Sequence, residues 1–184
     1  YNVRCTYKDG KWGDIEVSDS EYVSIHMAST SLHYGQQAFE GMKAYKGKDN
    51  KVRLFRWEEN AKRLQASADG IFMAKVPNEL FLQAVIKAVK MNADFVPPHG
   101  TGASLYIRPL RAAPLGTGTF KVGGNYAASL RGTIKAQKAG YSAPMYLDCV
   151  EKKYIDEIGA ANFFGIKNNT YITPKSPSIL ASIT

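Results

Sequence analysis

The sequence predicts an α+β fold in two parts, on three observations. Its strand-like runs come in hairpin pairs around turn signals. Amphipathic helical runs lie between those hairpins rather than alternating with single strands, which argues against a doubly wound parallel sheet. A Gly- and Thr-rich stretch at 114–124 cannot form a regular element and reads as a joint.

Residues 1–18 alternate and carry Asp9-Gly10, a strong hairpin signal, so strands are expected at 3–7 and 11–17. Strands at 41–46 and 52–56 flank Gly47-Lys48-Asp49-Asn50 as a second hairpin. A helix follows at 60–69, with Leu64 and Ala68 on one face, Arg63 one position off it, and Gly70 as its stop. Asn78 is a plausible N-cap for a helix through Met91, in which Phe81, Ala84, Val85, Ala88 and Val89 recur at helical spacing. Pro97-Pro98-His99-Gly100 breaks the chain, and 104–108 alternates as a strand. Helix is expected over 126–139, then strands at 145–148, 160–166 and 171–173.

With 184 residues the chain can bury a real core, and 45% hydrophobic against 22% charged residues matches a soluble globular protein. No run approaches the ~20 apolar residues of a membrane helix, so no membrane association is expected. The net charge of +8 raises the question of nucleic acid. The basic residues are scattered, however, and the nearest cluster, Lys46, Lys48, Lys51 and Arg53, is interrupted by Asp49 and Asn50. It reads as a solvated turn, and small anions such as phosphate esters or carboxylates are the expected partners. Two cysteines, Cys5 and Cys149, are too few for a disulfide framework and point to a reducing compartment. With no secretory or transit pattern in view, the cytoplasm is expected, the mitochondrion being the alternative. His26, His33 and His99 lack metal-ligand spacing, so no metal is expected.

The most informative segment is Leu115-Gly-Thr-Gly-Thr-Phe-Lys-Val-Gly-Gly-Asn-Tyr126. A P-loop needs Gly beside Lys and a following Ser or Thr; here Phe120 and Val122 flank Lys121. The dinucleotide pattern fails as well, because Lys121 stands where its third glycine belongs. What remains is one lysine among small residues, where a planar ligand can approach the backbone. A partly desolvated lysine loses its proton readily and can form a Schiff base. Taken alone, an exposed lysine in a mobile loop is the favoured explanation of the segment.

Lys121-Val-Gly-Gly-Asn-Tyr126 resembles the lysine segment of the branched-chain amino acid aminotransferases, which use pyridoxal 5'-phosphate on fold type IV. Four more segments resemble that family in its order: Leu32-His-Tyr-Gly-Gln-Gln-Ala-Phe-Glu-Gly-Met-Lys43, Arg53-Leu-Phe-Arg56 with Asn60-Ala-Lys-Arg63, Ser104-Leu-Tyr-Ile-Arg-Pro109, and Glu157-Ile-Gly-Ala-Ala-Asn162. The resemblance implies a two-domain enzyme, a small α/β domain and a larger pseudo-barrel domain. It implies transfer of the amino group between L-leucine, L-isoleucine or L-valine and 2-oxoglutarate. Lys121 resembles the Schiff-base lysine, and Glu157 the carboxylate paired with the pyridinium nitrogen, which keeps that ring an electron acceptor. Tyr126 resembles the tyrosine on the cofactor's phenolic oxygen, and Arg63 the arginine on its phosphate. Ile183 and Thr184 match a segment whose backbone amides hold the phosphate at a helix N-terminus. Tyr106 and Arg108 resemble residues that receive the substrate carboxylate; Tyr34 and Phe39 resemble walls of the apolar side-chain pocket.

The resemblance further implies a homodimer. It places a small N-terminal domain at 1–110 and the first part of the cofactor-binding domain at 111–184. Family members carry several dozen more residues where Leu110 runs into Arg111, and they continue beyond Thr184. They have Pro and Gly at the positions of Ala181 and Ser182. Fold relatives such as a D-amino acid aminotransferase or an aminodeoxychorismate lyase would share Lys121 and Glu157. A non-enzymatic, basic binding fragment is the alternative of another class.

Overall fold

The computed structural model describes residues 1–33, 35–112, 121–176 and 178–183. β1 (Asn2–Arg4), β2 (Tyr7–Lys8), β3 (Lys11–Trp12) and β4 (Glu16–Ser18) make the expected first hairpin, β1 on β4 and β2 on β3. Asp9 and Gly10 turn it with φ of 51° and 81°, the left-handed values such a turn needs. Each expected strand is interrupted midway, because Cys5 and Thr6 face three residues, Gly13 to Ile15, and the ladder cannot stay in register.

α1 (Thr30–His33) is a single turn that no apolar periodicity announces, and β5 (Gln37–Phe39) follows it. β6 (Met42–Lys46) and β7 (Val52–Leu54) form the second hairpin, with Asp49 accepting both terminal nitrogens of Arg53 at 2.8 Å. α2 (Trp57–Asp69) begins three residues before the expected start at 60, behind a left-handed Arg56. Gly70 ends it in a right-handed conformation; the left-handed residue is Phe72. α3 (Asn78–Met91) has the expected span, but Pro77 occupies the N-cap. Asn78 does not cap the helix: its side-chain oxygen accepts from Gln65 at 2.8 Å.

After a 3-10 turn at Ala93–Phe95, β8 (Leu105–Ile107) joins β6 on its free edge, giving the antiparallel order β7-β6-β8. β9 (Leu110–Ala112) pairs with β5. α4 (Gly123–Lys138) starts three residues before the expected 126. β10 (Met145–Leu147), β11 (Ile155–Ile158) and β12 (Ala161–Asn162) form an antiparallel sheet, and β13 (Gly165–Lys167) pairs with β14 (Thr170–Ile172). β11 was not expected from sequence, since Asp156-Glu157 interrupts its apolar pattern. The expected strand at 160–166 is two strands, β12 and β13, on different partners.

The core lies where α2 and α3 cover the β7-β6-β8 sheet. Ala61 and Leu64 of α2 meet Phe81 and Val85 of α3, with Ala38, Met42 and the fully buried Ile71. A smaller cluster of Ala44, Val89 and Val96 extends it. The apolar positions expected on each helix are therefore those that turn inward. Among the described residues after position 112, Val122 is the buried hydrophobic residue of this core, whereas Leu130, Ile134, Met145, Leu147 and Ile166 are exposed. Among the described residues no helix is long and apolar enough to cross a membrane.

Candidate active site

Asn60, Arg63 and Ser67 follow one another at spacings of three and four, so they share a stripe of α2 beside its apolar face. Opposite the stripe stands Glu40, just after β5 and two residues beyond buried Ala38. Its side chain is fully buried. Arg63 donates from Nε to Glu40 Oε1 at 2.7 Å and from Nη2 to Oε2 at 2.8 Å. Asn60 Nδ2 donates to Glu40 Oε2 at 2.6 Å and to the Gly41 carbonyl at 3.2 Å. Arg63 Nη1 donates to the Ala181 carbonyl at 2.9 Å, tying α2 to the C-terminal segment.

Ser67, the last residue of the stripe, accepts the backbone N–H of Lys121 at 3.3 Å. The Lys121 carbonyl accepts from the Phe39 N–H at 2.9 Å, and Val122 bridges Ala38. The lysine backbone is thus held between β5 and α2. Its Nζ donates to the Tyr126 hydroxyl at 3.1 Å. The same nitrogen lies 5.0 Å from the Phe39 ring centre and 5.4 Å from that of Tyr126, within cation–π reach. Arg108 stacks its guanidinium 4.5 Å from the Phe39 ring and donates from Nε to the Tyr106 hydroxyl at 3.0 Å.

Glu157 lies on β11, half-buried. A loop folded around Asp148 leads into that strand: the Asp148 carboxylate accepts backbone N–H groups from Val150 through Tyr154. Burial pushes the Glu157 carboxyl above the ordinary glutamate range, and Asp156 adds to the rise. The backbone of Leu180 and the charge of Lys121 pull the other way. Asn162 on β12 donates to the Leu180 carbonyl at 2.8 Å and to Glu157 Oε1 at 3.4 Å.

Arg63, Tyr106, Lys121, Tyr126, Glu157 and Ile183 line one cavity of about 580 Å³. These are six of the residues singled out from sequence. Phe39 and Arg108 do not line it; they touch two residues that do, Phe39 against Lys121 and Arg108 against Tyr106. Tyr34 and Thr184 lie outside the described residues. Residues 178–183 form a turn and irregular chain, and among the described residues no helix begins at Ile183; its carbonyl accepts from Arg56. Sequence reasoning missed Glu40, Asn60, Ser67 and Asn162. A signal existed for the first three: strand parity puts Glu40 on the face of Ala38, and 60, 63 and 67 are helical neighbours.

The donor set fits pyridoxal phosphate. A volume of this size accommodates a small ligand. The wall carries an amine for an aldehyde, a carboxylate for a ring nitrogen, a hydroxyl for a phenolic oxygen and a guanidinium for a phosphate.

No protein-family model matches the chain. Curated proteins do. The chain is 42% identical over 234 residues to a branched-chain-amino-acid aminotransferase of Haemophilus influenzae, covering 100% of this chain and 68% of that protein. It is 40% identical over 226 residues to the branched-chain-amino-acid aminotransferase of Helicobacter pylori, covering 97% of this chain and 66% of that protein. The chain thus spans about two thirds of the length of these relatives. The first alignment is longer than the 184 residues of the chain, so the relative carries stretches with no counterpart here. Among solved structures, a branched-chain amino acid aminotransferase complexed with N-(5'-phosphopyridoxyl)-L-glutamate superposes with a TM-score of 0.72 at 25% identity. That match covers 89% of this chain and 65% of that one. The Escherichia coli branched-chain amino acid aminotransferase gives 0.67 at 26% identity, over 89% and 65%. The α+β architecture is that of the type IV aminotransferases. Identity above one third across nearly the whole chain, on a shared fold, has one explanation: the chain belongs to the branched-chain-amino-acid aminotransferase family.

Proposed function

We propose that the chain binds pyridoxal phosphate at Lys121 and transfers amino groups between L-leucine, L-isoleucine or L-valine and 2-oxoglutarate. The observation that carries this reading is the convergence of Lys121, Tyr126, Glu157 and Arg63 on one cavity from three separate segments of the chain. Bound there, pyridoxal phosphate supplies an electron-accepting ring that makes the Cα–H bond of an amino acid acidic.

The chain's own groups do the rest. Lys121 Nζ would attach the cofactor, and once displaced by the substrate amine it would move the proton from the substrate Cα to C4′ of the cofactor. Tyr126 aims that nitrogen through its 3.1 Å hydrogen bond. Glu157 holds the proton on the ring nitrogen; a cation arriving beside it offsets the burial that raises its pKa. Arg63 holds the phosphate with its guanidinium, and the backbone around Ile183 and Thr184 shares that task. Arg108 and Tyr106, hydrogen-bonded to each other, receive the substrate carboxylate, and Phe39 and Tyr34 wall its apolar side chain.

Residues 1–110 form the small domain and 111–184 the first part of the cofactor domain. The exposed Leu130, Ile134 and Ile166 support a second part built to pack against more protein. The working form is a homodimer. The free thiols of Cys5 and Cys149 support a reducing compartment, the cytoplasm.

The test is the visible absorbance of the purified protein with pyridoxal phosphate, before and after L-leucine or D-alanine. A band that appears with the cofactor and is bleached by leucine but not by D-alanine is the expected result. No band, or bleaching by D-alanine alone, refutes the reading.

A further inference from the structure

The buried charge next to Arg63 has no part in the chemistry above. Glu40 is fully buried, and an isolated carboxylate does not stay charged in such a place unless it is paired. It also stands beside a cavity meant for a phosphate, which its charge repels. Its geometry offsets that. A guanidinium carries five N–H donors; Glu40 takes two from Arg63 and the Ala181 carbonyl takes a third. Among the described residues this leaves one N–H on each terminal nitrogen. Asn60 bonds both Glu40 Oε2 and the Gly41 carbonyl, so the carboxylate itself cannot turn. Phe39, the residue before Glu40, is bonded through its N–H to the Lys121 carbonyl. The arginine is therefore registered against the lysine through one short stretch of backbone.

We infer that Glu40 is a positioning residue for the phosphate end of the cavity, fixing the Arg63 fork so that its remaining donors form a preset anion seat at a set distance from Lys121. This rests on the proposed role of Arg63 toward phosphate. An unbraced arginine must lose its rotamer freedom when the ligand arrives; a braced one has lost it in folding.

The experiment compares equilibrium binding of pyridoxal phosphate and of pyridoxal, which lacks the phosphate, to the full chain and its Glu40→Gln variant. The dissociation constant for pyridoxal phosphate should rise about ten- to a hundred-fold, the range seen when groups that orient a ligand-holding residue are removed. That for pyridoxal should stay unchanged. Equal loss for both ligands would assign Glu40 a merely structural role and overturn the inference. So would no change, or tighter binding of pyridoxal phosphate, which would mean that Glu40 acts only by its charge. If the parent binds both ligands equally well, the phosphate role of Arg63 falls, and the inference with it. An Arg63→Gln background, where two amides replace the ion pair, provides a second check. There Glu40→Gln should reduce the preference for phosphate no further, and a further drop overturns the inference.

Discussion

Removing Arg63 is expected to destabilise the protein by an amount set by what it leaves behind. Arg63→Ala takes two charge-assisted hydrogen bonds, of 2.7 and 2.8 Å, from a carboxylate with no solvent exposure. Breaking a buried pair from one side costs about 3–5 kcal/mol. Two features reduce this. Asn60 still donates to Glu40 at 2.6 Å, and the Arg63 side chain is 18% exposed, so its loss opens a path for water to the carboxylate. The expected cost is about 2–4 kcal/mol, a large share of the ~5–15 kcal/mol that holds a domain together. Adding Glu40→Gln removes the stranded charge and should recover at least about 1 kcal/mol. Urea unfolding of parent, single and double variants measures all of this, with slopes of ~1–3 kcal/mol/M turning the effect into a midpoint shift on the order of 1 M. A single variant within about 1 kcal/mol of the parent, or a double variant less stable than the single, would refute the reasoning.

Three further outcomes are expected. Lys121→Ala should abolish transamination and covalent cofactor attachment, checked by mass after borohydride reduction, while the far-ultraviolet spectrum is unchanged; retained turnover would remove Lys121 from its role. Glu157→Gln should lower turnover by about a hundredfold or more yet raise Tm slightly at neutral pH. Because its folded pKa lies above the ordinary 4.5, the folded protein holds that proton more tightly than the unfolded chain. The ionised carboxylate therefore costs stability as pH rises from about 4.5 through the folded value, and the Tm gap between variant and parent should close in acid. Gly41→Ala would bring a methyl group to 3.1 Å from Cζ and 3.2 Å from Cε2 of Tyr106. That ring is half-exposed and can swing away, taking its bond to Arg108 with it. KM for 2-oxoglutarate should rise severalfold while stability stays within about 1 kcal/mol of the parent; an unchanged KM would separate Tyr106 from the carboxylate.

The elements that could be read from the chain are those whose information is local. α3 runs over the expected 78–91 because Phe81, Val85 and Val89 recur at the period that buries them. The Asp9-Gly10 hairpin formed where two adjacent residues tolerate left-handed backbone. Lys121, Arg63, Tyr126, Glu157 and Tyr106 were legible through the order of their segments, and they meet in one cavity. β11 was not legible. Asp156 and Glu157 are polar where an isolated strand would be apolar, because Glu157 faces a cavity that exists only after folding. Nor could the chain announce which group pairs with Glu40. Its partner Arg63 is 23 positions away, and the carbonyl that shares that arginine is 118 positions further on. Local spacing specifies which backbone forms and which face is apolar. Desolvation, and with it the pKa of Glu157 and the bracing of Arg63, depends on what distant segments cover, which the tertiary structure alone decides.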